Sequence, residues 1–275
     1  MDRRHFIKSL ASIMATTALP KAVSVADMER TEIYILAGQS NMSGRGALVE
    51  LPAFLNANRT RIFTNSWRWV TGYEPSDDPA GQLDQVSRDC AEDMASAAMS
   101  FADTMASLRV RSTIGLVPCA KGGSSISQWV KSASRDTLYG SMISRAKAAS
   151  FYGEIKGLIW FQGEAEAMGG DRDIAGWSAS FLRFAKDVRE DLSAPNLKFV
   201  VTELGPCPDE TKYPLWRDMQ SQQRSLDGKL SGAVSCVSAA DLNGKLNDAI
   251  HLDTPSLVVL GQRYAYAIDN LVPLS

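Results

Sequence analysis

Histidine is the scarcest chemically useful residue in this sequence: among 275 residues only His5 and His251 carry imidazoles. A zinc or other transition-metal site built from imidazoles is nearly excluded on that ground, although one histidine is still enough for a general base. Cysteine is sparse too. Cys90, Cys119, Cys207 and Cys236 follow no zinc spacing. Their even number in an exported chain permits two disulfides with three pairings, while Cys119, ending an apolar run, fits a buried free thiol equally well. Neither sign of charge dominates: the formal net charge is −2, and no basic stripe alternates with aromatic residues. That argues against nucleic acid or a charged membrane surface as a partner. No segment offers the roughly 20 apolar residues that a membrane span needs.

What remains is ordinary globular composition, 45% hydrophobic and 22% charged, long enough for one large domain. The N-terminus stands apart. MDRRHFIKSLASIMATTALPKAVSVAD places paired arginines before a weakly apolar run and small residues at Ser24 and Ala26. This layout predicts a twin-arginine-like export signal over residues 1–26, with cleavage after Ala26. The competing reading is a short amphipathic helix or anchor. With export, residues 27–275 form the mature domain, periplasmic or secreted, with no membrane attachment after the signal is removed.

From Thr31 onward, apolar strand-like runs alternate with helical patterns. TEIYILAG (31–38), STIGLVPCA (112–120), IKGLIWFQG (155–163), LKFVVTEL (197–204) and AVSCVS (233–238) read as strands. Helices are expected within 91–108, at 137–150, near 214–226 and at 255–271. Another follows from the spacing Ile174, Trp177, Phe181, Phe184, Val188, Leu192. The polar, glycine-rich stretch to about residue 85 shows little periodicity and is expected to wrap the surface. The alternation predicts one α/β domain with a mainly parallel sheet and helices on both faces.

In such sheets ligands bind beyond the carboxyl ends of the strands, and three of those ends are chemically unusual. After the first strand comes GQSNM, where Gly38 allows a sharp turn and Ser40 presents a hydroxyl. Met42 stands where a Gly-x-Ser-x-Gly elbow would have its second glycine, which disfavours an α/β-hydrolase arrangement. After the next clear strand, Gly122 and Gly123 let backbone N–H groups approach a ligand closely. After the third, Gln162 places an amide at the end of the apolar run GLIWF, followed by Glu164. In LNDAIHLD, Asp248 lies three residues before His251, a separation that lets a carboxylate meet one imidazole nitrogen and leaves the other free for a serine. Asp253 is a rival carboxylate. A developing oxyanion would find donors in the Ser40 amide, the glycine pair and Gln162.

GQSNM, GGSSISQW, WFQGEAEA and DAIH, in this order, resemble the SGNH hydrolase superfamily, and within it carbohydrate esterase family 6 and sialate O-acetylesterase-like proteins. The resemblance spans roughly residues 31–270. It implies a flavodoxin-like three-layer α/β/α sandwich. It also implies Ser40 as nucleophile, His251 as base, Asp248 orienting it, and an oxyanion hole from Ser40, a glycine of Gly122-Gly123, and Gln162 in place of the superfamily's usual asparagine. Gln39, Asn41, Glu164 and Trp129 become candidates for substrate contact, with Trp67 and Trp69 as further aromatic surfaces for a sugar. The implied activity is removal of acetyl groups from carbohydrates such as acetylated xylan or sialic acids, without a metal or other cofactor. Two alternatives stay open: an SGNH lipase or thioesterase acting on another acyl ester, and a carbohydrate-binding protein without turnover.

Overall fold

The computed structural model describes residues 31–89, 94–169, 174–246 and 248–271. The expected signal over 1–26 and Cys90 lie outside the described residues. In chain order the elements are β1 (Thr31–Gly38), the one-turn helix α1 (Ser40–Ser43), β2 (Gly46–Ala47), β3 (Thr60–Phe63), β4 (Trp69–Thr71) and β5 (Met94–Ala95). There follow α2 (Ala98–Leu108), β6 (Thr113–Pro118), α3 (Leu138–Ala149), β7 (Gly153–Phe161), the short α4 (Glu164–Ala167) and α5 (Trp177–Asp191). The chain continues through β8 (Lys198–Glu203), α6 (Trp216–Arg224), α7 (Lys229–Gly232), β9 (Val234–Ser238) and α8 (Thr254–Asn270).

Seven strands form one sheet in the order β4-β3-β6-β1-β7-β8-β9, parallel throughout except for the β3–β4 pair, while β2 and β5 pair separately. β1 is buried almost along its whole length, as expected of a strand covered on both faces. Alternate residues of β7 show the two layers. Trp160 packs against Phe181 and Phe184 of α5, and against Trp129. On the other face, Gly157 leaves room for Ile268 of α8. α8 is tied to α2 by Ser100 Oγ, which donates to the carbonyl of Val258 at 2.6 Å. The helical spacing read between Ile174 and Leu192 is realised in α5, with Trp177, Phe181, Phe184 and Val188 buried.

The stretch up to residue 85 differs from expectation, because it contributes β3 and β4 to the main sheet. With four and three residues, neither is long enough to show an alternating pattern. Pairing supplies what periodicity does not: Ile62 lies between Leu116 and Val70 in register. Trp67 and Trp69 belong to this region and are anchors. Trp69 is buried against Phe63, and Trp67, packed on the core, carries the Arg135 guanidinium 4.3 Å above its ring. Cys119, Cys207 and Cys236 are free thiols, Cys119 being fully enclosed.

The same region rests on buried polar groups. Arg145 donates to the carbonyls of Pro118 and Phe63, Ser141 Oγ donates to Asp84, and Asn65 Nδ2 donates to Asp77 Oδ1 at 2.9 Å. Burial pushes the Asp77 carboxyl up to about 6, with the Asn65 bond and the Arg145 charge only partly offsetting it. Between its ordinary value near 3.8 and about 6, the unfolded chain releases this proton while the folded chain keeps it. Stability therefore falls as pH rises through that window, by up to about 3 kcal/mol. Asp77→Asn is expected to stabilise the protein at pH 7 by up to this amount and to change little near pH 3, as read by urea unfolding. Equal shifts at both pH values would contradict the account.

Candidate active site

β1 lies between β6 and β7, where the sheet's winding reverses, and that crevice is where ligands bind in open α/β sheets. At its end Gly38 has φ +130°, and a Cβ there would sit 2.1 Å from the carbonyl oxygen of Phe161. Only glycine tolerates this close approach. The Gln39 N–H then donates to the same Phe161 carbonyl at 2.8 Å, and the chain turns into α1 with Ser40 at its first position. Being at the start of a helix, the Ser40 N–H has no intrahelical acceptor.

His251 arrives from the segment between β9 and α8. Residues 248–251 form a turn, with Ala249 in the left-handed region at φ +62°. Asp248 Oδ1 accepts the main-chain N–H groups of Ile250 and His251, both at 3.0 Å. Its other oxygen lies 2.5 Å from His251 Nδ1, and His251 Nε2 lies 2.7 Å from Ser40 Oγ. Partial burial works against the charge on Asp248, but the bonds from His251 and Ile250 outweigh it and hold the carboxyl below its ordinary range. The rival Asp253 does other work, capping α8 by accepting the Ser256 N–H at 2.9 Å.

Asn41 joins the two halves. Its Oδ1 accepts the Leu252 N–H at 3.0 Å, and its Nδ2 donates to the Ile250 carbonyl at 3.3 Å and to Glu164 Oε1 at 2.7 Å. Glu164 begins α4, just past β7, and is buried. Asn41 and Glu164, expected to touch substrate, are thus engaged inside the protein.

Gln162 also departs from expectation. It is fully enclosed, its Oε1 accepts the Trp177 indole N–H at 2.9 Å, and its Nε2 donates to the Ser124 carbonyl at 3.1 Å and to Glu166. Both amide protons are spent, so Gln162 has none for an oxyanion. Its neighbour in the crevice, Gln39, is arranged differently. Gln39 Oε1 faces the N–H groups of Gly163 and Ala165 at 3.5 and 3.4 Å, which fixes the amide's orientation, and its Nε2 has no acceptor among the described residues.

Of the glycine pair, Gly122 donates its N–H to Asp89 Oδ2 at 2.7 Å and is unavailable to a ligand. Gly123, at φ +70°, is exposed with open space around its Cα. Asp89 also accepts the Ser43 hydroxyl and pairs with Arg45 at 2.9 Å, so it ties the serine turn to the glycine loop. Trp129 is 1% exposed, packs on Trp160 and Phe184, and donates to Ser124 Oγ. It is a core residue that shapes the loop and offers no face to a sugar. Sequence reading missed Asp89, Arg45 and Glu166. Only Glu166 left a trace, as a second carboxylate in EAEA where the chain is otherwise apolar.

Comparison with known proteins bears on the fold and the family. The chain is 30% identical over 255 residues to a probable carbohydrate esterase of Arabidopsis thaliana, covering 86% of this chain and 89% of that one. The crystal structure of the Arabidopsis protein superposes with a TM-score of 0.72 over 88% of this chain and 100% of its own, at 28% identity. A carbohydrate acetylesterase from Xanthomonas citri (TM-score 0.64, 20% identity, 87% of this chain and 56% of that one) and NanS (0.60, 16%, 87% and 97%) share the fold. A putative GDSL-like lipase from Parabacteroides merdae also shares the fold (TM-score 0.54, 12% identity, 88% of this chain and 97% of that one). A family model described as carbohydrate esterase, sialic acid-specific acetylesterase, matches residues 30–270. The chain belongs to that family of carbohydrate esterases.

Proposed function

We propose that the protein is a serine esterase that removes O-acetyl groups from carbohydrates, O-acetylated sialic acid or acetylated xylan, through an acetyl-serine intermediate. The observation that carries this reading is the unbroken contact from Asp248 to His251 Nδ1 and from His251 Nε2 to Ser40 Oγ. Because Asp248 accepts at Nδ1, that nitrogen keeps its proton and Nε2 is the basic one. His251 Nε2 takes the Ser40 proton as Oγ attacks the acetyl carbonyl carbon. The tetrahedral oxyanion is met by the Ser40 N–H, the Gln39 amide and the Gly123 N–H. Collapse breaks the bond to the sugar oxygen, which leaves with the proton from His251. Water then repeats the sequence on the acetyl-serine, releasing acetate and restoring Ser40.

Family membership supports a carbohydrate ester as substrate, and the small acyl group suits a serine that is 7% exposed at the base of a crevice. The layout of residues 1–26 supports an exported enzyme meeting its substrate outside the cytoplasm.

Acetate release from O-acetylated sialic acid, acetylated xylan oligosaccharides and a simple aryl acetate is expected from the wild type and not from Ser40→Ala. Release from the aryl ester alone would retain the serine chemistry and remove the sugar assignment. Absence of release together with no labelling by a fluorophosphonate would favour the binding-only alternative. The two amides separate in the same assay. Gln39→Ala is expected to lower kcat by about 10²–10³-fold, the usual cost of one oxyanion donor, with the fold retained. Gln162→Ala, which leaves the Trp177 indole, the Ser124 carbonyl and Glu166 without a partner, is expected to lower Tm by several degrees. The reverse pattern would restore Gln162 to the oxyanion hole.

A further inference from the structure

We propose that Asp89 is a positioning residue for the oxyanion hole: its buried carboxylate bridges the serine turn and the glycine loop, so that the Ser40 and Gly123 N–H groups keep one fixed separation. The proposal rests on the serine esterase reading above and names the group that holds its oxyanion donors in place. A single oxygen, Asp89 Oδ2, accepts the Gly122 N–H at 2.7 Å and the Ser43 hydroxyl at 2.8 Å. Ser43 ends α1, the turn that Ser40 begins, and Gly122 directly precedes Gly123. The two halves of the oxyanion hole therefore meet on one atom, although Gly122 lies 33 residues after Asp89 and Ser43 lies 46 residues before it.

The glycine loop needs such a hold. Lys121 to Ser124 form a four-residue turn, closed by the Ser124 N–H on the Lys121 carbonyl at 3.2 Å, and the Gly123 N–H belongs to its central peptide. At φ +70° Gly123 has the left-handed conformation that a type II turn requires at its third position. Rotating the central peptide by about half a revolution gives the type I form, and two adjacent glycines offer little resistance to that rotation. The feet of the turn rest on the Gly38 carbonyl, which accepts the Lys121 N–H at 2.9 Å and the Ser124 hydroxyl at 3.3 Å. Asp89 holds the side that remains, the N–H of the peptide in front of the central one.

Gly122 lacks the positive φ of its neighbour, so its missing side chain has another cause. A Cβ there would stand 2.8 Å from Asp89 Oδ1 and 3.0 Å from Arg45 Nη2. The glycine makes room for an ion pair, Arg45 Nη2 to Asp89 Oδ1 at 2.9 Å, whose side chains are 9% and 4% exposed. Arg45 Nη1 also donates to the Ser43 hydroxyl oxygen at 2.8 Å, so cation, anion and hydroxyl form a closed ring. A hydrogen bond to a carboxylate is stronger than one to a neutral acceptor, and Arg45 supplies the counter-charge that a buried carboxylate needs.

The test compares hydrolysis of a simple aryl acetate by the full chain and by its Asp89 variants. Asp89→Ala is expected to lower kcat by about 10²-fold, the usual effect of a group misplaced by about an ångström, with KM little changed. The pH midpoint of kcat/KM is expected to stay in place, because Asp248 and His251 are untouched. Asp89→Asn keeps an acceptor for the Gly122 N–H and is expected to recover part of the loss. Backbone hydrogen exchange over residues 119–125 is expected to quicken by about tenfold or more in Asp89→Ala, while residues 248–252 keep their wild-type rate. A folded Asp89→Ala with wild-type kcat overturns the proposal, as does a loss confined to KM, or an Asp89→Asn no better than Asp89→Ala. Should Asp89→Ala fail to fold, Gly122→Ala tests the same contact from the other side. Its methyl group displaces the Arg45–Asp89 pair, and kcat is expected to fall by about tenfold or more. An unchanged kcat in that variant overturns the proposal. A wild type that releases no acetate, while exchange over 119–125 still quickens in Asp89→Ala, would sink the serine esterase reading and leave the bridge standing.

Discussion

The contact on which the site depends is the close approach of β1 to the end of β7, its parallel neighbour, where Gly38 lies in register with Phe161. Gly38 and Phe161 approach so closely that a single methyl group would push the strands apart. The serine turn hangs on that approach. It turns the chain so that Gln39 is clamped by the N–H groups after β7, Ser40 heads α1, and Asn41 reaches Glu164. A larger residue at position 38 would displace the side chains of Gln39, Ser40 and Asn41 together. Because β1 is also the strand at which the sheet's winding reverses, the serine stands where helices leave the crevice uncovered.

The second constraint is the short helix α4. Its two glutamates serve different loops from one turn of chain. Glu164 holds Asn41 and through it the histidine turn, whereas Glu166 accepts the Ile126 N–H at 2.6 Å and a hydrogen bond from Gln162 Nε2, fixing the loop that carries Gly123. Asp89 closes the circle between that loop and the serine turn. A site that must hold hydrogen-bond geometry to fractions of an ångström is thus assembled from loops, yet every loop is fixed by a buried carboxylate instead of by its own rigidity.

Much of this was legible in the sequence, and the parts that were not share a cause. The parallel strands β6, β7, β8 and β9 announce themselves as apolar runs, and α5 by its spacing, since burial on a regular element leaves a periodic trace. Ser40, Asp248 and His251 were readable because histidine is scarce and the aspartate sits at the separation a single turn allows. β3 and β4 left no trace, being held by neighbours rather than by pattern. The direction of an amide is equally invisible. Gln39 and Gln162 are both glutamines next to strand ends, and what distinguishes them is which distant groups they meet: two backbone N–H donors for Gln39, a carboxylate and an indole for Gln162. For Gly122 the deciding partner, Asp89, lies 33 residues away in a stretch without periodicity. Trp129 looked like a sugar platform only because sequence does not reveal which face of an indole is covered.

The histidine turn shows how local strain and long-range bonding divide the work. Ala249 occupies a left-handed conformation that costs an alanine on the order of 1 kcal/mol. That conformation lets the Asp248 carboxylate accept two N–H groups of its own turn while still meeting Nδ1. One oxygen is consumed by the backbone, so the other has a single direction in which to point, and the tautomer of His251 follows from the turn itself. What the turn does not determine is where the imidazole sits relative to Ser40. That coordinate is set from outside by Asn41, which grips the residue on each side of the histidine. Local chemistry therefore decides which nitrogen is basic, and tertiary structure decides what that nitrogen reaches.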